Sequence, residues 1–240
     1  MRFAIFSDLH ANLEATETVL ADARDRDCTQ FVCLGDVVGY NANPHECVEL
    51  VRALDCPTVM GNHDEQASLD ASSRGFNPLA EEAISWTRDH LTDADKQWLA
   101  ELPMSRPVRD FTIVHATLDT PEEWGYIFKN LDATASFTYQ HTAVCFFGHT
   151  HVAGAFVRDD GVQRLRVDHL TIEPAKKYLI NTGSVGQPRD GDWRAAYCIY
   201  DTEKNVVEQR RLKYDVATAQ RKIIEAGLPR MLADRLELGR

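Results

Sequence analysis

RFAIFSDLH, residues 2–10, sets the reading of the whole chain. The run RFAIF (2–6) has the character of a buried strand, and the polar residue Asp8 ends it abruptly. Residues 13–26 then place Leu13, Ala15, Val19, Leu20 and Ala23 at helical spacing, with Asn12 as N-cap. The same unit returns along the chain. FVCL (31–34) ends at Asp36, and Pro44 opens the helix PHECVELVRALD from a first-turn position that proline tolerates. PTVM (57–60) reads as a strand ending at Asn62 and His63, and residues 78–102 as two helices separated near Thr92. FTIV (111–114) ends at His115, and AVCFF (143–147) ends at Gly148 and His149. Strands alternating with helices predict an α/β protein. Such proteins gather their ligand sites at the carboxyl ends of the strands.

Beyond residue 153 the pattern changes. The runs 154–158, 163–168, 177–182, 195–200 and 205–212, with turn signals such as Asp159-Asp160-Gly161, predict a meander of antiparallel strands. The tail from Asp215 reads as a helix stopped by Gly227, then a short helix opened by Pro229. The stretch from Thr117 to Gln140 looks helical and serves packing, with a cap over the site as the alternative. No linker or repeat interrupts the sequence, so one domain over 1–240 is expected.

Composition narrows the function. The 240 residues hold 37 Asp plus Glu against 26 Lys plus Arg, a formal charge of −11. That balance disfavours long nucleic acids and anionic lipid as partners. The 44% hydrophobic content argues against disorder. No apolar run approaches the roughly 18 residues of a membrane span. The apolar residues between Arg2 and Ser7 fall short of a secretory core of about 7–15, so a cytoplasmic location is expected. None of the six cysteines forms a CxxC pair, and Cys33, Cys145 and Cys198 lie in apolar runs, as small buried hydrophobes of a reducing compartment.

Chemistry collects where the strand runs stop. In order come Asp8 and His10, Asp36, Asn62 with His63 and Asp64, His115, and His149 with His151. A lone Asp-x-His or a Gly-Asp after a strand is weak evidence by itself. GNHD (61–64), read as a tight turn dense in donors and ligands, is stronger. GHTH (148–151) sets two imidazoles directly after AVCFF, which is costly to bury without partners. Oxygen and imidazole donors without thiolates suit Mn²⁺, Fe, Zn²⁺ or Ni²⁺. Seven such ligands are too many for one ion and suitable for two.

Asp8-Leu9-His10, Gly35-Asp36, Gly61-Asn62-His63-Asp64, His115 and Gly148-His149-Thr150-His151 together resemble the calcineurin-like metallophosphoesterase family. GDVVGYNANPHE (35–46), NTGSVGQPRDGD (181–192) and AGLPRMLADRL (226–236) resemble its bacterial and archaeal branch of predicted phosphodiesterases. There are departures: Gly39 stands where the family has the second Asp of GDxxD, Thr182 replaces a usual Pro, and Ala116 follows the lone His. The resemblance implies a four-layer α/β/β/α sandwich, two mixed sheets face to face with helices outside. It implies two divalent ions, Mn²⁺ foremost, with Asp8, His10 and His151 on the first, Asn62, His115 and His149 on the second, and Asp36 bridging. It implies hydrolysis of small phosphate esters or nucleotides, as a phosphodiesterase, by in-line attack of a metal-bridging hydroxide.

His63 is then the general acid, with Asp64 orienting it and raising its pKa. Arg189 and Ser184 are the substrate-binding candidates. A guanidinium grips phosphate bidentately, and Gly183, Ser184 and Gly186 form a turn rich in backbone donors. An ion pair from Arg189 to Asp190 or Asp192 is the competing reading. Tyr40 and Asn41 are weaker candidates for the pocket wall. His45, His90, His141 and His169 read as surface or helix-end residues, and the four tryptophans as core or interface anchors. A phosphomonoesterase, a dinucleoside-polyphosphate hydrolase and a non-catalytic protein-binding scaffold remain the alternatives.

Overall fold

The computed structural model describes residues 1–69 and 76–240. In chain order its elements are β1 (Arg2–Phe6), α1 (Leu13–Asp25), β2 (Gln30–Cys33), α2 (Pro44–Ala53), α3 (Asn62–Ser68), α4 (Pro78–His90), α5 (Asp93–Ala100), β3 (Ser105–Val108), β4 (Phe111–Val114), α6 (Asn130–Tyr139) and β5 (Val144–Phe147). There follow β6 (Gly154–Arg158), β7 (Val162–Leu165), β8 (His169–Thr171), β9 (Lys177–Asn181), β10 (Ala195–Asp201), β11 (Val206–Leu212), α7 (Val216–Glu225) and α8 (Arg230–Asp234).

Two sheets form, in the orders β2-β1-β10-β11-β8 and β3-β4-β5-β9-β6-β7. Both are mixed: β1 runs parallel to β2 and antiparallel to β10, while β9 runs parallel to β5 and antiparallel to β6. Alternation along each strand divides the core. Phe3 and Ile5 of β1 face Phe111, Ile113, Val144 and Phe146 of the other sheet. Ala4 and Phe6 turn the other way, toward α1, α2, α4, α7 and α8. In β5, Val144 and Phe146 lie between the sheets, and Cys145 and Phe147 pack with Ala133 and Phe137 of α6. The result is the expected α/β/β/α sandwich. Edge-to-face rings bind its two inner layers, with Phe3 and Phe111 at 5.2 Å, and Phe111 and Tyr200 at 5.8 Å.

Several local expectations are corrected. The strands after 153 do not form one meander: β6, β7 and β9 join the second sheet, and β8, β10 and β11 the first. Run-and-turn spacing marks a strand but not its sheet. PTVM (57–60) is no named strand, and contributes a single parallel bridge from Thr58 to Cys33. GNHD opens a helix, with Gly61 as N-cap of α3. Within 117–140 only α6 is α-helical, preceded by a 3₁₀ turn at Pro121–Glu123. β3 went unread because it is short and contains Pro107, which an edge strand tolerates. Asn12 caps α1 as expected, its side chain accepting from the Ala15 amide. No described helix is long and apolar enough to cross a membrane.

Phe111→Ala should cost about 3–5 kcal/mol in urea unfolding, because the cavity opens between two rigid sheets. His45 Nδ1 lies 2.7 Å from Oδ2 of buried Asp95, joining α2 to α5, and that bond raises its pKa above 6.5. A raised imidazole stabilises the fold below its unfolded pKa, and the effect is lost as pH rises through the folded value. His45→Gln should therefore be about 0.5–1 kcal/mol less stable than the parent near pH 6 and equal to it near pH 9, since the ring is half exposed.

Candidate metal centre

Strand ends of both sheets meet at one seam. Asp8 and His10 follow β1, Asp36 follows β2, His115 follows β4, and His149 and His151 follow β5. Asp8, His10, Asp36, His149 and His151 all adopt left-handed φ, between 48° and 64°. That region costs a residue with a Cβ roughly 1–2 kcal/mol. Backbone bonds hold them there: the Asp8 amide donates to Gly35 O (3.0 Å), His10 to Asp36 O (2.9 Å), and Gly186 to Asp8 O (2.9 Å).

The side chains converge. His151 Nε2 is 3.3 Å from Asp8 Oδ1, and His115 Nε2 is 3.3 Å from Asp36 Oδ2. His10 Nε2 lies 3.5 Å from Asp36 Oδ2 and 3.1 Å from His151 Nε2. Asp8, His10, Asp36 and His151 offer ligand atoms within 4.8 Å of one another, and Asp36, His115 and His149 do likewise, with Asp36 common to both groups. Asn62 stands beside them with its Oδ1 buried and unpartnered.

Main-chain carbonyls choose the tautomers. Nδ1 of His10, His115 and His151 donates to the oxygens of Val38 (3.1 Å), Leu34 (2.7 Å) and Gln187 (2.6 Å). This leaves each Nε2 facing inward as the ligand atom. His149 is reversed: its Nε2 donates to Trp124 O at 2.9 Å, which frees Nδ1. The facing lone pairs of His10 and His151 repel unless a cation lies between them. The orphaned oxygen of Asn62 asks for the same partner, so the donor set fits divalent metal.

The electrostatics agree. Burial pushes the Asp8 and Asp36 carboxyls up, but the imidazole charges of His151 and His115 win and hold both below the usual carboxylate value. Burial lowers His115, and the Asp36 carboxylate overrides it, pushing it up to about 9. Burial drives His149 down to about 3. A metal must therefore displace a proton at His115 and finds His149 already neutral.

His63 lies against the cluster, its ring 4.7 Å from His10, and burial lowers it to about 4. Its amide donates to Asp36 Oδ1 at 2.8 Å. Its Nδ1 is buried without a partner. Asp64 does not reach it, which corrects the expected pairing. Asp64 Oδ1 accepts from Val37 N (2.8 Å) and Val38 N (3.3 Å), and Oδ2 from Gly61 N (3.0 Å). Burial and the Asp36 charge push Asp64 up to about 7. Gly39 explains how the ring fits: its φ is +94°, and a Cβ there would stand 2.4 Å from His63 Nδ1.

Ser184 is also corrected. It is fully buried, donates to Asp8 O and accepts from the Gln187 amide, both at 2.8 Å, so its hydroxyl braces the Asp8 loop. Asn41 likewise lies beneath the site and donates to His10 O at 2.7 Å. Arg189 does line the pocket, with Tyr40. It escapes the competing ion pairs because Asp190 is taken by Arg211 and Asp192 by Arg194. Its guanidinium instead lies over Tyr40 and donates to Gln187 Oε1.

The cavity holds about 360 Å³. Part of its wall was not anticipated: Phe76, Glu123, Trp124 and Tyr126. Trp124 is more than an anchor, since its carbonyl sets His149 and its indole N–H donates to Glu65 of α3 at 3.0 Å. The 117–140 segment thus reaches the site through 123–126, while Phe137 packs in the core.

Residues 1–205 match the family model described as calcineurin-like phosphoesterase superfamily domain. The uncharacterized protein MJ0912 of Methanocaldococcus jannaschii is 39% identical over 99% of this chain and 98% of its own length. The crystal structure of a metallophosphoesterase from Sphaerobacter thermophilus is 40% identical, with TM-score 0.90, over 100% of this chain and 99% of that one. The crystal structure of hypothetical protein PH1004 from Pyrococcus horikoshii OT3 shares the fold at 15% identity, with TM-score 0.83, over 100% and 98%.

Calorimetric titration with Mn²⁺ should saturate at two ions per chain, and at one in Asn62→Ala. Apparent affinity should weaken on acidification, with proton release visible as a buffer-dependent heat, because His115 must lose its proton.

Proposed function

The chain belongs to the calcineurin-like phosphoesterase superfamily, and on that footing we propose that it is a phosphodiesterase acting on small phosphate esters or nucleotides with two divalent ions, Mn²⁺ foremost. One observation carries the reading: two carboxylates and four imidazoles from both sheets converge, and Asp36, His149 and His151 of that cluster open with Asn62 and His63 onto one pocket. When bound, the ions would supply positive charge to the phosphoryl oxygens and lower the pKa of water.

The residues divide the work. Asp8, His10 and His151 would hold one ion, Asn62, His115 and His149 the other, and Asp36 would be shared between them. His63 protonates the leaving oxygen, in the form that takes up its proton when the phosphate anion binds beside it. It is tethered through its amide to the shared carboxylate, so donor and phosphorus keep one geometry. Asp64 acts as a positioning residue by tying Val37, Val38 and Gly61 together. Arg189 meets a non-bridging phosphoryl oxygen.

The protein adds little cationic charge to that of the ions: among the described residues, Arg189 is the only Lys or Arg on the pocket wall, which Glu123 also lines. A monoanionic diester needs less added positive charge than a dianionic monoester, and the diester is the substrate class we propose on that ground.

Mn²⁺-loaded protein should hydrolyse bis-p-nitrophenyl phosphate faster than p-nitrophenyl phosphate, and a chelator should stop it. His63→Ala should lower kcat by about 10²–10⁴ with metal content unchanged. Asp36→Asn should lose both metal and rate. Metal-loaded protein that turns over no diester, monoester or dinucleotide would overturn the reading in favour of a scaffold.

A further inference from the structure

The pocket wall beside His149 is aromatic, and phosphoryl transfer itself makes no use of it. Tyr126 lies on the His149 ring at 4.2 Å between centroids, with planes 25° apart. Phe128 continues the strip at 5.6 Å and 6°. Both rings face solvent, with Tyr126 52% and Phe128 43% exposed. Glu123, three residues before Tyr126, also lines the pocket.

Building on the phosphodiesterase reading, we propose that Tyr126 and Phe128 form a stacking subsite for a planar aromatic group, the size of a nucleobase, carried on the phosphate held at the metal centre. The rings start on a candidate ligand, with Tyr126 on the pocket wall and Phe128 next to it outside the lining residues, so a ring stacked there stays joined to a phosphate at the ions. Stacking on a solvent-facing ring covers apolar area and needs no fixed hydrogen-bond pattern. Glu123 has only acceptors to offer, which suit the N–H and O–H donors of a nucleoside. Its charge disfavours a further phosphate at that wall. The cavity of about 360 Å³ falls in the range of small-ligand sites.

Equilibrium titration of Mn²⁺-loaded protein with AMP and with ribose 5-phosphate tests the subsite without relying on turnover. AMP should bind at least about tenfold more tightly, the value of stacking one base on an aromatic side chain. Tyr126→Ala should bring AMP down to the level of ribose 5-phosphate, and Tyr126→Phe should keep the advantage. Equal affinities in the parent protein, or no binding of either compound, would overturn the proposal. So would an equal loss for both ligands in Tyr126→Ala, which would mean that Tyr126 only props His149. Failure here alongside turnover of bis-p-nitrophenyl phosphate removes the subsite and leaves the phosphodiesterase reading in place.

Discussion

Two pairings across the seam organise the molecule: Asp8 with His151, and Asp36 with His115. In each, the carboxylate comes from the first sheet and the imidazole from the second. Burying so many polar groups is unfavourable unless each finds a partner. The surrounding backbone is devoted to that end. Carbonyls on three segments, Leu34 and Val38 in one loop, Trp124 in another and Gln187 in a third, accept the outer nitrogens of the four imidazoles, so every ring presents one chosen nitrogen to the seam. Five residues accept left-handed backbone to bring their side chains inward. Strain of this kind persists where the surroundings over-determine it, and the interlocking loop amides supply that determination.

The GDVVG segment shows how one departure propagates. With no Cβ at Gly39, the His63 ring sits directly against the loop. Asp64, next to His63 in sequence, points away from it and binds the amides of Val37 and Val38. The two neighbours therefore serve opposite ends of one construction: His63 faces the pocket, and Asp64 locks the loop that His63 rests on. Adjacency in sequence suggested a dyad, but the first turn of a helix sends successive side chains in different directions.

Much of the sandwich was legible because β1, β2, β4 and β5 are apolar runs stopped by a ligand-type residue, and burial on both faces demands such runs. What stayed illegible depended on distant partners. Thr58 makes only a bridge because nothing continues the ladder beyond Cys33. The choice of sheet for β8 and β9 rests on pairings with β11 and β5 that no local period encodes. The cluster from Asp8 to His151 could be read from residue types at strand ends. Trp124 could not, because it acts through a main-chain carbonyl that any residue possesses. Ser184 was misread for the converse reason: a hydroxyl in a glycine-rich turn looks ready for phosphate, yet it is spent on Asp8 O.

The position of β1 has a kinetic meaning. It lies between β2, which follows it closely, and β10, which begins at Ala195. The Asp8 loop is closed by Ser184 and Gly186, some 176 residues later in the chain. A nascent chain can pair β1 with β2 early, but it cannot complete the Asp8 turn until the segment around Gly186 has left the ribosome. Contacts of such long separation form slowly, since the intervening loop must be ordered first. The candidate metal cluster thus closes late relative to the strands that begin it, and a chain that stops short of Gly186 has no finished Asp8 loop to offer an ion.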